Sequence, residues 1–308
     1  MAREQFGICA EPNLHSYYLL FNVVDNKNAF IRKALSKLPA IFEDYADQFS
    51  ESNLIGVIAI GACYWDEFYP QARPKQLRQF SALQCDDRIA PANDFDLYIE
   101  IRSDRADVNH VVSVKVCELL GNAVELIEQV KGFRYLDGRD LTGFVDGTEN
   151  PKGLHKREIA LVKEDADIDF VKGSYLHIQR YRHNMQLWQS LEEKQQEDVF
   201  GRTKRDDIEY DDADKPLTAH TKRANLKDIN GNSLEVLRQS MPYGHMKTQG
   251  LFFLSYCYTP ENFELQLKSM IEGDGHGNFD HMLKYTQAET GAAFFAPSLD
   301  FILALDEE

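Results

Sequence analysis

Gly138-Arg-Asp-Leu-Thr-Gly-Phe-Val-Asp-Gly-Thr-Glu-Asn-Pro151 lies near the midpoint of a 308-residue chain and separates two halves of similar pattern. Gly138, Gly143, Gly147, Asn150 and Pro151 exclude a long helix or a regular strand here. Leu141, Phe144 and Val145 are apolar, so the loop is expected to pack against the body of the protein. Irregular backbone that is buried must find partners for its polar groups, and such loops commonly carry function. Asp146, between Val145 and Gly147, reads on its own as a turn carboxylate that caps local amides.

Toward the N-terminus, residues 16–24 (SYYLLFNVV) read as a strand that ends at the turn-like residues 25–28. Ile31, Leu35, Leu38, Phe42, Tyr45 and Phe49 recur at steps of three and four, which predicts one amphipathic helix. Residues 54–62 (LIGVIAIGA) form a continuous apolar run suited to a buried strand. Residues 64–93 are rich in Pro, Gln and Asp and read as a long irregular connection. Phe95, Leu97, Ile99 and Ile101 alternate with polar residues as a half-buried strand. Val108, Val112, Val116, Leu119, Ala123, Ile127 and Val130 then predict a second helix, with Phe133 and Tyr135 in a last strand. The order βαββαβ is that of a ferredoxin-like unit.

The second half follows the same plan with insertions. Tyr175–Tyr181 predicts a strand, and Ser190-Leu-Glu-Glu193 a capping box for a helix ending at Phe200-Gly201. Residues 203–218 are dense in Asp and Glu and read as a solvated loop. Gln249–Tyr258 is the most apolar strand of this half, and Thr259-Pro260 opens a helix that Gly273 ends. The fold class is α+β: two ferredoxin-like domains, residues 1–150 and 151–308, each with a four-stranded antiparallel sheet and helices.

Acidic residues outnumber basic ones by 50 to 34, for a net charge of −16. That field repels phosphate backbones and anionic lipid, so neither nucleic acid nor membrane is an expected partner. No apolar run approaches the roughly 20 residues that span a bilayer. The five cysteines show no paired spacing and read as reduced thiols, which suits the cytoplasm. HExxH, CxxC, Walker A, GxGxxG and GxSxG patterns are all absent, which sets aside the common zinc, nucleotide and serine-hydrolase sites. A single-histidine chemistry remains, and haem leads it.

Thr218-Ala-His220-Thr-Lys-Arg223 follows the acidic loop, and Leu237-Arg238-Gln-Ser240-Met-Pro-Tyr243-Gly244 comes soon after. Together with Gly143-Phe-Val-Asp146-Gly147-Thr-Glu-Asn150-Pro151, Gly173-Ser-Tyr175, Gly201-Arg202-Thr-Lys204, Thr290-Gly291 and Phe294-Phe295-Ala-Pro297-Ser298, these residues give the order of a known family. The chain resembles the dye-decolourising peroxidases, over nearly its whole length, and most closely the smaller bacterial (P-type) group without a signal peptide.

The resemblance implies haem b, protoporphyrin IX iron, held between sheet and helices of the second domain. His220 would be the axial iron ligand, and Asp280 the carboxylate on its other ring nitrogen, although His281 adjoins that position. Asp146 and Arg238 would form the distal pair. Arg202, by motif, and Arg223, by proximity to His220, would meet the propionates, while Gly147 and Thr148 bring the loop backbone to the macrocycle. Peroxide must lose a proton from one oxygen and regain it on the other before its O–O bond can break heterolytically. An ionised Asp146 can carry that proton, and the Arg238 cation favours the ionised state.

Ser240 stands where some relatives carry asparagine, and Tyr243 is the candidate radical relay to donors too large for the pocket. Hydrogen peroxide and small organic donors such as dyes and phenols are the implied substrates. A homodimer or larger even assembly is implied as well. The same pocket would also serve haem storage, iron release or porphyrinogen oxidation. A haem-free interaction module is the remaining alternative. The chain ends at Phe301-Ile-Leu-Ala-Leu-Asp-Glu-Glu308 without a long tail, so packing inside a protein shell is not expected.

Overall fold

The computed structural model describes residues 2–306; part of the terminal stretch on which the shell expectation rests lies outside them. The first half supplies β1 (His15–Val23), β2 (Ile55–Gly61), a short ribbon of β3 (Leu83–Cys85) and β4 (Arg88–Ala90), β5 (Leu97–Ser103) and β6 (Val124–Phe133). The second supplies β7 (Ser174–His183), β8 (Leu237–Arg238), β9 (Met241–His245), β10 (Thr248–Cys257) and β11 (Thr286–Ala296).

The expected pair of separate four-stranded sheets is corrected. The strands other than the ribbon run in one antiparallel sheet, in the order β7-β11-β2-β5-β1-β6-β9-β10-β8. Because β10 also pairs with β7, that sheet closes into a barrel. Each half on its own would leave two rows of unpaired backbone N–H and C=O groups, and edge-to-edge joining removes them. One seam is β11 on β2, at Phe294–Gly61 and Phe295–Ile60. The other is β6 on β9, at Gly132–Tyr243. A Cβ at Gly132 would lie 2.3 Å from Ser16 Oγ and 2.9 Å from Met241 Cβ, so this approach requires glycine.

Alternation along the strands sends Tyr18, Leu20, Tyr98, Leu176, Ile178, Phe252, Leu254 and Tyr256 into one buried cluster. Glu100 and Arg102 join them as an ion pair at 2.8 Å, each 1% exposed. The Tyr256 hydroxyl donates to Glu100 at 2.6 Å, and Arg102 donates to Gln239 at 2.7 Å, so the charges are partnered. On the outer face of the first half, Leu19, Phe21, Ile58, Ile60, Ile99 and Ile101 lie in the same core as the helices Asn28–Leu35, Leu38–Gln48 and Ala106–Leu120.

Several local expectations change. The helix predicted through residues 31–49 is two helices, parted at Ser36-Lys37. Pro39 has no N–H to continue the first helix and sits instead in the opening turn of the second. The second predicted helix stops at Leu120, where Gly121 adopts φ +51°; Ala123 falls in a short 3-10 turn, and Ile127 and Val130 belong to β6. Tyr135 forms an isolated bridge to Arg139 rather than a strand. The capping box is made by Glu192 and Gln195, and its helix Glu193–Phe200 ends at Gly201 as expected.

Candidate functional site

A cleft opens on the outer face of β7 and β10. The helices Glu193–Phe200, His220–Ala224 and Glu261–Glu272 and the midpoint loop supply its other walls. It holds about 1190 Å³ of empty space, its open mouth included. Phe144, Phe200, Leu251, Phe253, Phe263, Leu267, Met270 and Met282 make much of the lining apolar. Asp146, Gly147, Thr148, Arg202, His220 and Arg238 all lie on its wall, although they are far apart in sequence.

The midpoint loop is folded around its own polar groups. The Asp140 carboxylate accepts from the Thr142 hydroxyl at 2.6 Å and from the Thr142 amide at 3.0 Å. The Asp140 amide donates to the Phe144 carbonyl, and the Asp146 amide to the Gly138 carbonyl. Gly143 and Gly147 take φ of +92° and +80°, left-handed values that a side chain would strain. Phe144 is buried and stacks on Phe200 at 4.0 Å. The loop is therefore a packed element.

Its two carboxylates are driven in opposite directions. Asp146 is half-buried and turned to the cleft. Burial raises its pKa above the ordinary value; the Arg238 cation opposes that rise and the Asp140 charge adds to it. Asp140 is also buried, which works against its ionisation. His183 Nε2 at 3.2 Å and the Thr142 bonds outweigh burial and hold its pKa at about 2. Such opposed carboxylates are the pattern by which one site keeps a fixed charge beside a group that can exchange a proton.

His220 opens the helix His220–Ala224, and its Nδ1 is 2.6 Å from Asp280 Oδ2. Asp280 is fully buried and accepts the Met282 amide on its other oxygen. With Nδ1–H donated to the carboxylate, Nε2 keeps its lone pair for a ligand. The adjoining His281 packs on Phe279, so Asp280 is the partner of His220.

Arg238 lies on β8 opposite Ser255 of β10. Its Nε is buried with no hydrogen-bond partner among the described residues. Arg202 is buried, 2.7 Å from Asp207, which also accepts the Thr148 hydroxyl.

Arg223 and Tyr243 lie off the cleft wall, and Ser240 makes a local contact. Arg223 does not reach the cleft wall; it is drawn to the Asn278 carbonyl at 3.3 Å and the Asp274 carboxylate at 3.9 Å. Ser240 accepts the Leu254 amide at 3.2 Å, substituting for a backbone acceptor where β8 gives way to β9. Tyr243 is also off the wall, its hydroxyl 3.3 Å from Arg180. Conversely, Gln179, Tyr181 and His183 line the cleft without having been singled out. Their alternation along residues 177–183 was the available signal. For Asp140 it was the Asp-x-Thr spacing of an Asx turn.

Family models for "Dyp-type peroxidase, N-terminal" and "Dyp-type peroxidase, C-terminal" match residues 5–134 and 137–301. The chain belongs to the DyP-type peroxidase family. Its activity is that of a dye-decolorizing peroxidase. Among its relatives, the dye-decolorizing peroxidase of Mycolicibacterium paratuberculosis is 36% identical over 92% of this chain and 81% of its own length. The Mycobacterium tuberculosis counterpart is also 36% identical, over 92% and 85%. A DyP-type peroxidase structure from Shewanella oneidensis superposes with a TM-score of 0.96, at 53% identity over 98% of each chain. A DypB variant from Rhodococcus jostii, solved in complex with heme, gives a TM-score of 0.92 at 32% identity, over 96% of each chain.

Proposed function

We propose that this DyP-type peroxidase binds haem b in the cleft, where His220 would hold the iron, and uses Asp146 and Arg238 to activate hydrogen peroxide. The observation that carries the reading is the His220–Asp280 bond at 2.6 Å, on the cleft that also bears Asp146 and Arg238.

The residues fit the group. Apolar side chains suit the faces of a flat macrocycle, Arg202 supplies a buried cation for a propionate, and His220 offers an imidazole with one nitrogen committed to a carboxylate. Bound there, haem supplies a redox-active iron that takes oxidising equivalents from peroxide and yields them to donors one electron at a time.

The protein's own part is proton handling and charge placement. Asp280 holds the Nδ1 proton of His220 and makes Nε2 a stronger donor. Asp146, ionised, takes the proton from one peroxide oxygen and returns it to the other, the departing one. Arg238, with its uncommitted Nε, lies ready to stabilise negative charge on that departing oxygen. Asp146 and Arg238 also border a second opening among Glu11, Arg134, Asp137 and Arg139, which gives a small substrate access to them. Ser240 lies at that second opening beside Asp146 and Arg238, where it accepts the Leu254 amide, and the Tyr243 hydroxyl lies against Arg180.

Dyes and phenols are the proposed donors. The P-type subgroup, cytoplasmic location and homodimeric or larger even assembly remain part of the proposal. The five free cysteines agree with that location. Among the described residues no helix is long and apolar enough to cross a membrane. Haem storage would require His220 but gives no role to the Asp146–Arg238 pair, so the peroxidase reading is preferred over haem handling.

The test is direct. Purified protein is expected to show a Soret band that His220→Ala abolishes. Asp146→Asn and Arg238→Leu are each expected to slow the peroxide reaction by at least about 10²-fold with the band retained. A stopped-flow rate untouched by either substitution removes the distal roles.

A further inference from the structure

Asp146 and Arg238 come from opposite halves of the chain, and a side chain used by neither role joins them. Arg238 pairs with Ser255 of β10, but its own N–H and C=O do not bond to that strand. The neighbouring Gln239 amide does, donating to the Leu254 carbonyl at 3.1 Å. The Arg238 peptide groups face the other way, toward an edge with no further strand. Both are taken by Asn150: Oδ1 accepts the Arg238 amide at 2.8 Å, and Nδ2 donates to the Arg238 carbonyl at 2.6 Å. A side-chain amide offers the same donor and acceptor as a peptide group, so Asn150 stands in for the missing strand.

Asn150 is also tied to the loop that carries Asp146. Its own amide donates to the Gly147 carbonyl at 3.0 Å, closing a tight turn that the chain enters at Gly147, where φ is +80°. Pro151 restricts the Asn150 backbone further. From Asp146 to Asn150 the chain is thus a short, closed spacer, and from Asn150 to Arg238 there are two hydrogen bonds.

We infer that Asn150 is a positioning residue which, through its pair of hydrogen bonds to the Arg238 backbone, sets the placement of Arg238 relative to Asp146. Its catalytic consequence rests on the peroxidase reading above; the clamp itself does not. Misplacing a reacting group by about 1 Å can cost up to about 10²-fold in rate.

Peptide-resolved hydrogen exchange reads the clamp whether or not haem is bound. In Asn150→Ala the segment containing Arg238 is expected to exchange more than about tenfold faster than in wild type, with other strands unchanged. A double-mutant cycle with Arg238→Leu then reads the positioning role, using both the peroxide rate and the affinity of the ferric protein for fluoride. Asn150→Ala alone is expected to lower each about tenfold, and to lower neither further once Arg238 is gone. Exchange at Arg238 unaffected by Asn150→Ala overturns the clamp. Equal losses in the presence and absence of the arginine overturn the positioning role. Should Asn150→Ala fail to fold, Asn150→Gln keeps both polar groups one methylene too far out and is expected to show the same non-additive loss; additive losses there overturn the inference equally.

Discussion

Asp146 and Asp140 lie six residues apart on one loop, and their environments assign them different work. Asp140, held near 2, is charged at any working pH. Asp146 is pushed upward by burial, with Arg238 drawing it down and Asp140 adding to the rise. If Asp146 is the base, only its ionised form is active. The peroxide rate should then fall as pH drops through a value above the ordinary carboxyl pKa, and should level off on the alkaline side. A rate that climbs steadily to pH 8 would contradict this. Asp140→Asn removes a like charge and is expected to move the acidic limb to lower pH; Arg238→Leu should move it higher. Both limbs are measured by stopped-flow across a pH series. At this scale the motifs lead to residues that come together in space: Asp146, His220 and Arg238 lie on one cleft wall, and Asp280 is bonded to His220. The sequence was not readable for Arg223, whose partners lie some fifty residues on, in the 274–278 loop. The identity of a neighbour that arrives only through tertiary folding leaves no local trace.

Single residues also decide where the elements end. The apolar spacing from Val108 to Val130 fits a helix throughout, yet residues 124–133 pair with β1 as strand β6, with a bulge between Leu126 and Glu128. Gly121 arbitrates. At φ +51° and ψ −134° it accepts the turn that ends the helix, and its amide donates to the Cys117 carbonyl. No atom lies within 4 Å of a Cβ placed there, so a substitution meets strain rather than a clash. Gly121→Ala is therefore expected to lose about 1–3 kcal/mol, read as a lower denaturant midpoint with an unchanged slope. No change in midpoint would show that the helix end is set elsewhere. Pro39 divides the first predicted helix in the same manner, and there the proline itself was the overlooked signal. Elements with a continuous apolar run, such as β2 and β10, or with clear alternation, such as β5, were legible from local pattern alone.

At the scale of the molecule, the halves were legible and their joining was not. A βαββαβ order, read as a ferredoxin-like unit, specifies which strands neighbour one another within a half. It carries no information about edges meeting across the chain, here β2 with β11 and β6 with β9. Residues 1–150 expressed alone would leave β2 and β6 as open edges and lose the β7 and β10 residues that share their interior cluster. That fragment is expected to aggregate on size-exclusion chromatography, whereas a well-folded monomer would show that ring closure is dispensable. The closed ring also has a consequence for synthesis. The first half leaves the ribosome long before β11, the strand that meets β2, has been made. At about 5–20 residues per second, roughly seven to thirty seconds pass between the two. The β6 edge stays open until β9 emerges and the β2 edge until β11 does, so the edges that a holding chaperone would cover close one after the other, and ribosome stalling in the second half is expected to harm this protein more than stalling in the first.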